Sequence, residues 1–328
     1  MNEFQECKVS IYKAALENSG EDREFVAAID QGTSSSRFLL FTRRGEIAAS
    51  SQVEFTQIFP PEHVGWHEHD PFEIWDSVTT CMTALVDACQ QEPYFTRAPW
   101  VISAMGITNQ RETIVAWNAT TGRVYHNAIV WDDLRTTDIA AKISHGDKNA
   151  LRDRTGLPIA SYFSATKVRW LLDHVQDLRR DLCDEATRDQ VRFGTIDSWL
   201  TYQLTGQTHH ADDDPDNDHR RRANIGGIFV TDVTNASRWL FLNLHTVSWD
   251  PELISLICSP SGIDLPLSAL PHILPSSCRI GQCSTLSGVP TILGNVPISG
   301  LIGDQQAALF GQAAFEPGEA KNTYGTVS

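Results

Sequence analysis

Apolar residues recur at two periods along this chain, and the change from one to the other lays out its elements. Residues 25–29 (FVAAI) form the first strong apolar run and residues 38–41 (FLLF) the second. A small polar segment at 30–36 separates them. Arg43, Arg44, Gly45 and Glu46 then make a turn before residues 47–55 return as a third run. Short runs joined by tight turns predict an antiparallel meander at the start of a mixed sheet. Next the period lengthens: Ile74, Val78, Cys81, Met82, Leu85 and Cys89 recur at helical spacing. Asp70 is placed to cap that helix, Pro71 suits its first turn, and Glu73 completes a pattern like a capping box. Residues 100–107 read as a buried strand, with further strands at 114–117 and 128–131. Residues 166–175 and 197–204 read as amphipathic helices, the second stopped by Gly206 as its C′ residue. Strands alternating with helices make the class α/β.

Two segments stand apart from this alternation. Residues 1–24 are polar and read as a peripheral extension, with a short amphipathic helix over 8–16 that ends near Asn18, Ser19 and Gly20. Residues 209–222 (HHADDDPDNDHRRR) hold almost nothing apolar, so 207–224 is expected to be a disordered, solvated loop. His209, His210 and the aspartates also allow a metal site to be drawn, but nothing in the spacing fixes a ligand geometry.

Composition narrows the function classes. A chain of 328 residues with 41% hydrophobic residues is long enough for about two domains. The net charge of −15 opposes a nucleic-acid surface, which needs a basic patch. It leaves phosphate ligands open, because backbone N–H groups hold phosphate inside acidic proteins. Seven cysteines, odd in number and widely spaced, read as free thiols in a reducing compartment. Cys278, Cys283 and His272 read as packing residues rather than metal ligands. Neither a secretory leader nor an apolar run long enough to span a bilayer stands out, so the expected location is the cytoplasm. The Asn118 and Asn235 glycosylation patterns carry little weight in that compartment.

Three segments carry candidate chemistry. Residues 30–37 (DQGTSSSR) lie between two strands. Gly32 has no Cβ and allows close backbone approach, Thr33, Ser34 and Ser35 offer hydroxyls, Arg37 offers a charged donor, and Asp30 can hold magnesium through water. A tight polar hairpin explains the same residues without a ligand. Arg111 and Glu112 follow the strand at 100–107, where ligands bind in α/β sheets, and offer a donor and an acceptor suited to a polyol. The plainer alternative is an exposed loop with a local ion pair. Residues 299–309 form a glycine-hinged loop entering a helix, with Asp304 near its N-terminus as a candidate general base or a simple N-cap.

These segments do not stand alone. IDQGTSSSR (29–37), GWHEHDP (65–71), GITNQRET (106–113), NAIVW (127–131), YFSATK (162–167), FGTIDSWL (193–200), TNASR (234–238), GDQQAALFG (303–311) and KNTYGT (321–326) run in order along the chain. Together they resemble the FGGY carbohydrate-kinase family, and within it the members that phosphorylate glycerol. The resemblance implies an actin-like fold of two ribonuclease-H-like domains with a cleft between them. It implies ATP-dependent phosphoryl transfer to glycerol, giving sn-glycerol 3-phosphate and ADP, with Mg2+. By that resemblance Arg111, Glu112, Tyr162, Asp304 and Gln305 would hold glycerol and Trp131 would pack on its carbon face. Asp304 would take the proton of the attacking hydroxyl. Thr33, Ser34, Ser35, Arg37 and Thr326 would meet the ATP phosphates, and Asp30 and Asp304 would serve the metal. Nucleic acid and membrane insertion are not expected, and homo-oligomerisation is left open.

The chain departs from the family pattern in places. Family members continue beyond residue 328 into a second domain of comparable size, which supplies adenosine contacts. The expected layout is therefore an N-terminal glycerol-binding domain at 25–312 and the start of a truncated C-terminal domain at 313–328. Val327 stands where a glycine is expected, Asp132, Asp133 and Leu134 replace a more basic stretch, and Ala160 and Ser161 replace Asp-Pro. Two readings follow: a glycerol-phosphorylating enzyme, or a catalytically inactive truncated domain that binds a polyol or a protein partner. Another sugar kinase of the same fold is the minor third.

Overall fold

A computed structural model describes residues 6–208 and 222–322. Its largest sheet has seven strands, in the order Lys8–Ile11, Ile47–Glu54, Ser35–Thr42, Glu24–Gln31, Val101–Asn109, Pro297–Gly303 and Ser277–Gln282. Ile47–Glu54, Ser35–Thr42 and Glu24–Gln31 form the three-stranded antiparallel meander that the alternating pattern predicts, and Lys8–Ile11 extends it at the edge. Glu24–Gln31, Val101–Asn109 and Pro297–Gly303 run parallel, with Asn109 in register with both Gln31 and Gly303. All three parallel strands therefore end at one level. The chain leaves them at Gly32, Gln110 and Asp304, where open α/β sheets bind ligands.

The strand alternation decides which face is covered. Phe25, Ala27 and Ile29 lie in the core with Phe38 and Leu40, while Val26, Ala28 and Asp30 lie on the more open face. Helix Pro71–Gln91 packs on the meander, burying Ile74, Val78, Met82 and Leu85. Helix Ile196–Thr205 packs against the Val101–Asn109 and Pro297–Gly303 strands. A second sheet, in the order Glu68–His69, Ala128–Ile129, Ile114–Asn118 and Val191–Thr195, shares a separate core with helices Ser164–His174 and Pro251–Cys258. No helix among the described residues is long and apolar enough to cross a membrane.

Several expectations are corrected. The helix expected over 8–16 is a strand at Lys8–Ile11 and then a helix at Lys13–Ser19, because backbone pairing with Ile47–Glu54 overrides the weak helical pattern. Asp70 does cap its helix through Phe72 N, but Glu73 accepts hydrogen bonds from the Thr56 N–H and hydroxyl instead of closing a capping box. The strand at 128–131 stops at Ile129. Gly206 is a helix C-cap without positive φ; a Cβ there would meet Ile225 O at 2.9 Å, so close backbone approach is what requires glycine. Residues 209–221 of the expected loop lie outside the described residues. Its flanks are anchored, with Ala223 buried and hydrogen-bonded to Gly122 O, and Gln207 bridged to Ile225. Asn118 and Asn235 are both buried, which does not suit a sugar attachment site.

Candidate functional site

The three strand ends frame a cleft of about 580 Å³, lined by Thr33, Ser34, Arg111, Glu112, Trp131, Tyr162, Asp304 and Gln305 together with Gln57, Phe59, His67, Gln110 and Asp132. Each strand end is fixed by the next. Gln110 N donates to Gln31 O at 2.7 Å, and the Gln110 amide reaches Gly32 O at 3.0 Å, so the Gly32–Ser34 turn is tied to the Arg111 loop. Gly32 N donates to Ser35 O at 2.9 Å and closes that turn.

The floor is charged. Arg111 Nε lies 3.3 Å from Asp304 Oδ1, with the arginine side chain 10% exposed and the aspartate 36%. Glu112 is buried and adopts left-handed backbone (φ 61°), a conformation that costs a non-glycine residue about 1–3 kcal/mol. It is held there by Ser164 Oγ, which donates to its carbonyl at 3.1 Å, and by Arg238 Nε, which donates to Glu112 Oε1 at 2.6 Å. Burial pushes the Glu112 carboxyl above its ordinary pKa, while Arg111 and Arg238 pull it down. Burial also raises Asp304, with Asp30 adding to the rise and Arg111 and the Gln305 N–H opposing it. A carboxylate with a raised proton affinity, on the floor of a cleft, can accept a proton from a bound hydroxyl.

The walls are aromatic. The Trp131 and Tyr162 rings lie 5.4 Å apart and tilted. Trp131 Nε1 donates to Thr33 Oγ1 at 2.9 Å, so one side chain joins the polar turn to the aromatic wall. Behind them Lys167 is fully buried and donates to Ser161 O at 2.9 Å and Tyr162 O at 2.7 Å, binding the loop that carries Tyr162. Burial pushes its ammonium down to about 7, against the pull of Glu112 and Asp133. Across the cleft His67 Nδ1 meets Asp132 Oδ1 at 2.7 Å, and Phe59 stacks on the His67 ring.

Most sequence-derived candidates thus share one cavity. Ser35, Arg37 and Asp30 do not line it. Ser35 accepts from Gln52 Nε2 at 3.2 Å, and Arg37 pairs with Asp30 at 3.1 Å on the open face of the sheet. Thr326 lies outside the described residues. Asp304 is not an N-cap: Gly303 holds that position and Asp304 opens the helix Asp304–Gly311. Arg238, Lys167, Gln110 and His67 were not singled out as site residues in the sequence. All four lay within motifs already noted, and only their long-range pairing reveals their role.

A family model described as "FGGY family of carbohydrate kinases, N-terminal domain" matches residues 25–311. The glycerol kinase of Xanthomonas axonopodis pv. citri (strain 306) is 46% identical over 307 residues, covering 93% of this chain and 53% of that protein. The glycerol kinase of Limosilactobacillus reuteri (strain DSM 20016) is 44% identical over 308 residues, with the same coverage. Among solved structures, Plasmodium falciparum glycerol kinase with ADP superposes with a TM-score of 0.78 at 31% identity, over 93% of this chain and 53% of that one. A ligand-bound xylulose kinase from Lactobacillus acidophilus reaches 0.67 at 21% identity, over 89% of this chain and 50% of that one, and speaks to the fold alone. The fold is the mixed α/β arrangement of actin-like carbohydrate kinases. The chain spans about half the length of the curated relatives it matches.

Proposed function

This chain belongs to the FGGY family of carbohydrate kinases, and from that premise we propose that its cleft binds glycerol for ATP-dependent phosphorylation to sn-glycerol 3-phosphate. The observation that carries the reading is the convergence of Arg111, Glu112 and Asp304 from two adjacent parallel strand ends onto one floor beside the Trp131–Tyr162 wall. Vicinal hydroxyls need donors and acceptors in alternation. The Arg111 guanidinium donates, and the Glu112 and Asp304 carboxylates accept. Gln305 adds an amide, and the carbon face of the polyol rests on Trp131. Asp304 takes the proton as the hydroxyl oxygen bonds to the γ-phosphorus and the bond to the ADP oxygen breaks. Thr33 and Ser34 meet the phosphates at the turn, and Ser35, Arg37 and Thr326 are proposed as more distant phosphate contacts. Positioning and electrostatics supply most of the rate in such transfers.

The residues present also fit a magnesium ion. Asp30 lies one residue before the end of one parallel strand and Asp304 directly after the end of another, so both carboxylates belong to the strand ends beside the turn. Magnesium takes one or two carboxylates and fills its shell with water and phosphate oxygens. Asp30 and Asp304 would hold it, and it would neutralise charge on the transferring phosphoryl group.

The test is a coupled assay for ADP release from Mg-ATP with and without glycerol, beside Asp304→Asn. Glycerol-dependent release is expected, and removing the base should cut it by about 10²–10⁴-fold. Turnover that survives Asp304→Asn would overturn the role given to Asp304. The alternative reading is polyol capture without catalysis. It predicts glycerol binding by folded protein that shows no turnover.

A further inference from the structure

The strand ends that build the floor are themselves held by a buried carboxylate that touches neither cleft nor solvent. Asp232 is fully buried. Its Oδ2 accepts from the Thr234 hydroxyl at 2.7 Å, from Thr234 N at 3.0 Å and from the Ser276 hydroxyl at 2.6 Å. Its Oδ1 accepts from Asn235 N at 3.0 Å and Asn235 Nδ2 at 2.8 Å. Two arms lead outward. Thr234 Oγ1 accepts from Gly303 N at 2.8 Å, immediately before Asp304. Asn235 and Asn109 exchange side-chain amide bonds at 3.0 and 3.2 Å, two residues before Arg111.

The geometry points to Asp232 and Thr234 as positioning residues for Asp304. The Thr234 hydroxyl has one proton and gives it to Asp232, so its lone pairs face Gly303 N–H. A carboxylate behind the hydroxyl strengthens it as an acceptor. Gly303 is the N-cap of the helix that Asp304 opens. Fixing its N–H therefore fixes where the Asp304 carboxylate stands relative to Arg111, 3.3 Å away. The Asn235–Asn109 arm fixes the other side of the same ion pair. One buried carboxylate thus sets the spacing of the acid and the guanidinium on two different strands. The inference deepens the proposed glycerol site and rests on it for its binding arm.

Three variants test it: Thr234→Val, which keeps the shape and removes the acceptor; Thr234→Ser, which restores it; and Ser276→Ala, which removes a donor to the same Asp232 oxygen without touching a strand end. The first readout is the Arg111 Nε–H resonance by NMR, whose shift and solvent exchange report its contact with Asp304. Thr234→Val should move that resonance and speed its exchange as the carboxylate leaves Arg111. Thr234→Ser should restore it, and Ser276→Ala should leave it in place although it lowers the unfolding midpoint. The second readout is glycerol affinity by calorimetry, which Thr234→Val should weaken by about tenfold and Ser276→Ala should not change. An unmoved Arg111 Nε–H in folded Thr234→Val overturns the inference, whether or not glycerol binds. Equal shifts in Thr234→Val and Ser276→Ala overturn it too, because they would mean general loosening. Failure of the wild-type protein to bind glycerol, with the Arg111 Nε–H shift present, would sink the glycerol reading and leave the positioning intact.

Discussion

Single buried charges set the conditions under which this site holds together. Asp197 is fully buried, with the Thr195 and Thr231 hydroxyls each donating to it at 2.6 Å. Burial, with Asp232 nearby, pushes its carboxyl up to about 7. An unfolded aspartate titrates near 3.9. Between those values the folded chain binds the proton more tightly than the unfolded one, so the stability from Asp197 is full below about pH 4 and is lost as pH rises towards 7. Asp197→Asn stays neutral throughout. Its advantage over the wild type in urea unfolding should therefore grow from pH 4.5 to pH 7.5; a gap independent of pH would contradict the account. Asp304, Arg111 and Glu112 could be singled out in the sequence because each stands next to a strand end in a recognisable string. Their partners could not. Arg238 reaches Glu112 across 126 residues and Trp131 reaches Thr33 across 98, distances at which spacing carries no signal.

Elements explain why those residues meet. The strands at 24–31 and 35–42 were legible because their inward faces alternate cleanly, and Asp70 was legible as a cap because capping is a local contact. The edge strand Lys8–Ile11 was not, because its residues alternate between exposed and partly buried and only the Ile47–Glu54 partner makes it a strand. Behind the Trp131–Tyr162 wall the organising element is the Ser164–His174 helix, whose Lys167 turns inward to Ser161 and Tyr162 carbonyls. Lys167→Met keeps the apolar stem and removes the ammonium, so Tyr162 O loses its lysine donor while Ser161 O keeps the Thr136 and Thr166 hydroxyls at 3.3 Å. Orphaning a buried acceptor of this kind costs about 1–3 kcal/mol. Denaturant unfolding should show a loss of about 1–3 kcal/mol, together with weaker glycerol binding as Tyr162 shifts. A variant as stable as the wild type would show that Lys167 does not hold this loop.

At the scale of the molecule, three parallel strands end together and the functional groups are the first residues beyond each end. The class of fold could be read from alternating periods, but the coincidence of the ends is a matter of register, set by backbone pairing and by the Asn109–Asn235 and Gln110–Gln31 contacts. The resemblance of many short strings in order, rather than any one of them, made the cleft residues nameable before the register was known. The central claim is that this register alone assembles a glycerol site on the described lobe. Its most direct test is calorimetric titration of the 328-residue chain with glycerol, beside Arg111→Ala. Removing a charged donor to a hydroxyl costs about 1.5–3 kcal/mol, and 1.4 kcal/mol is tenfold in affinity. The account predicts saturable binding that Arg111→Ala weakens by at least about tenfold while the unfolding midpoint stays near that of the wild type. Folded wild-type protein that takes up no glycerol, or that binds it equally well without Arg111, would contradict the account.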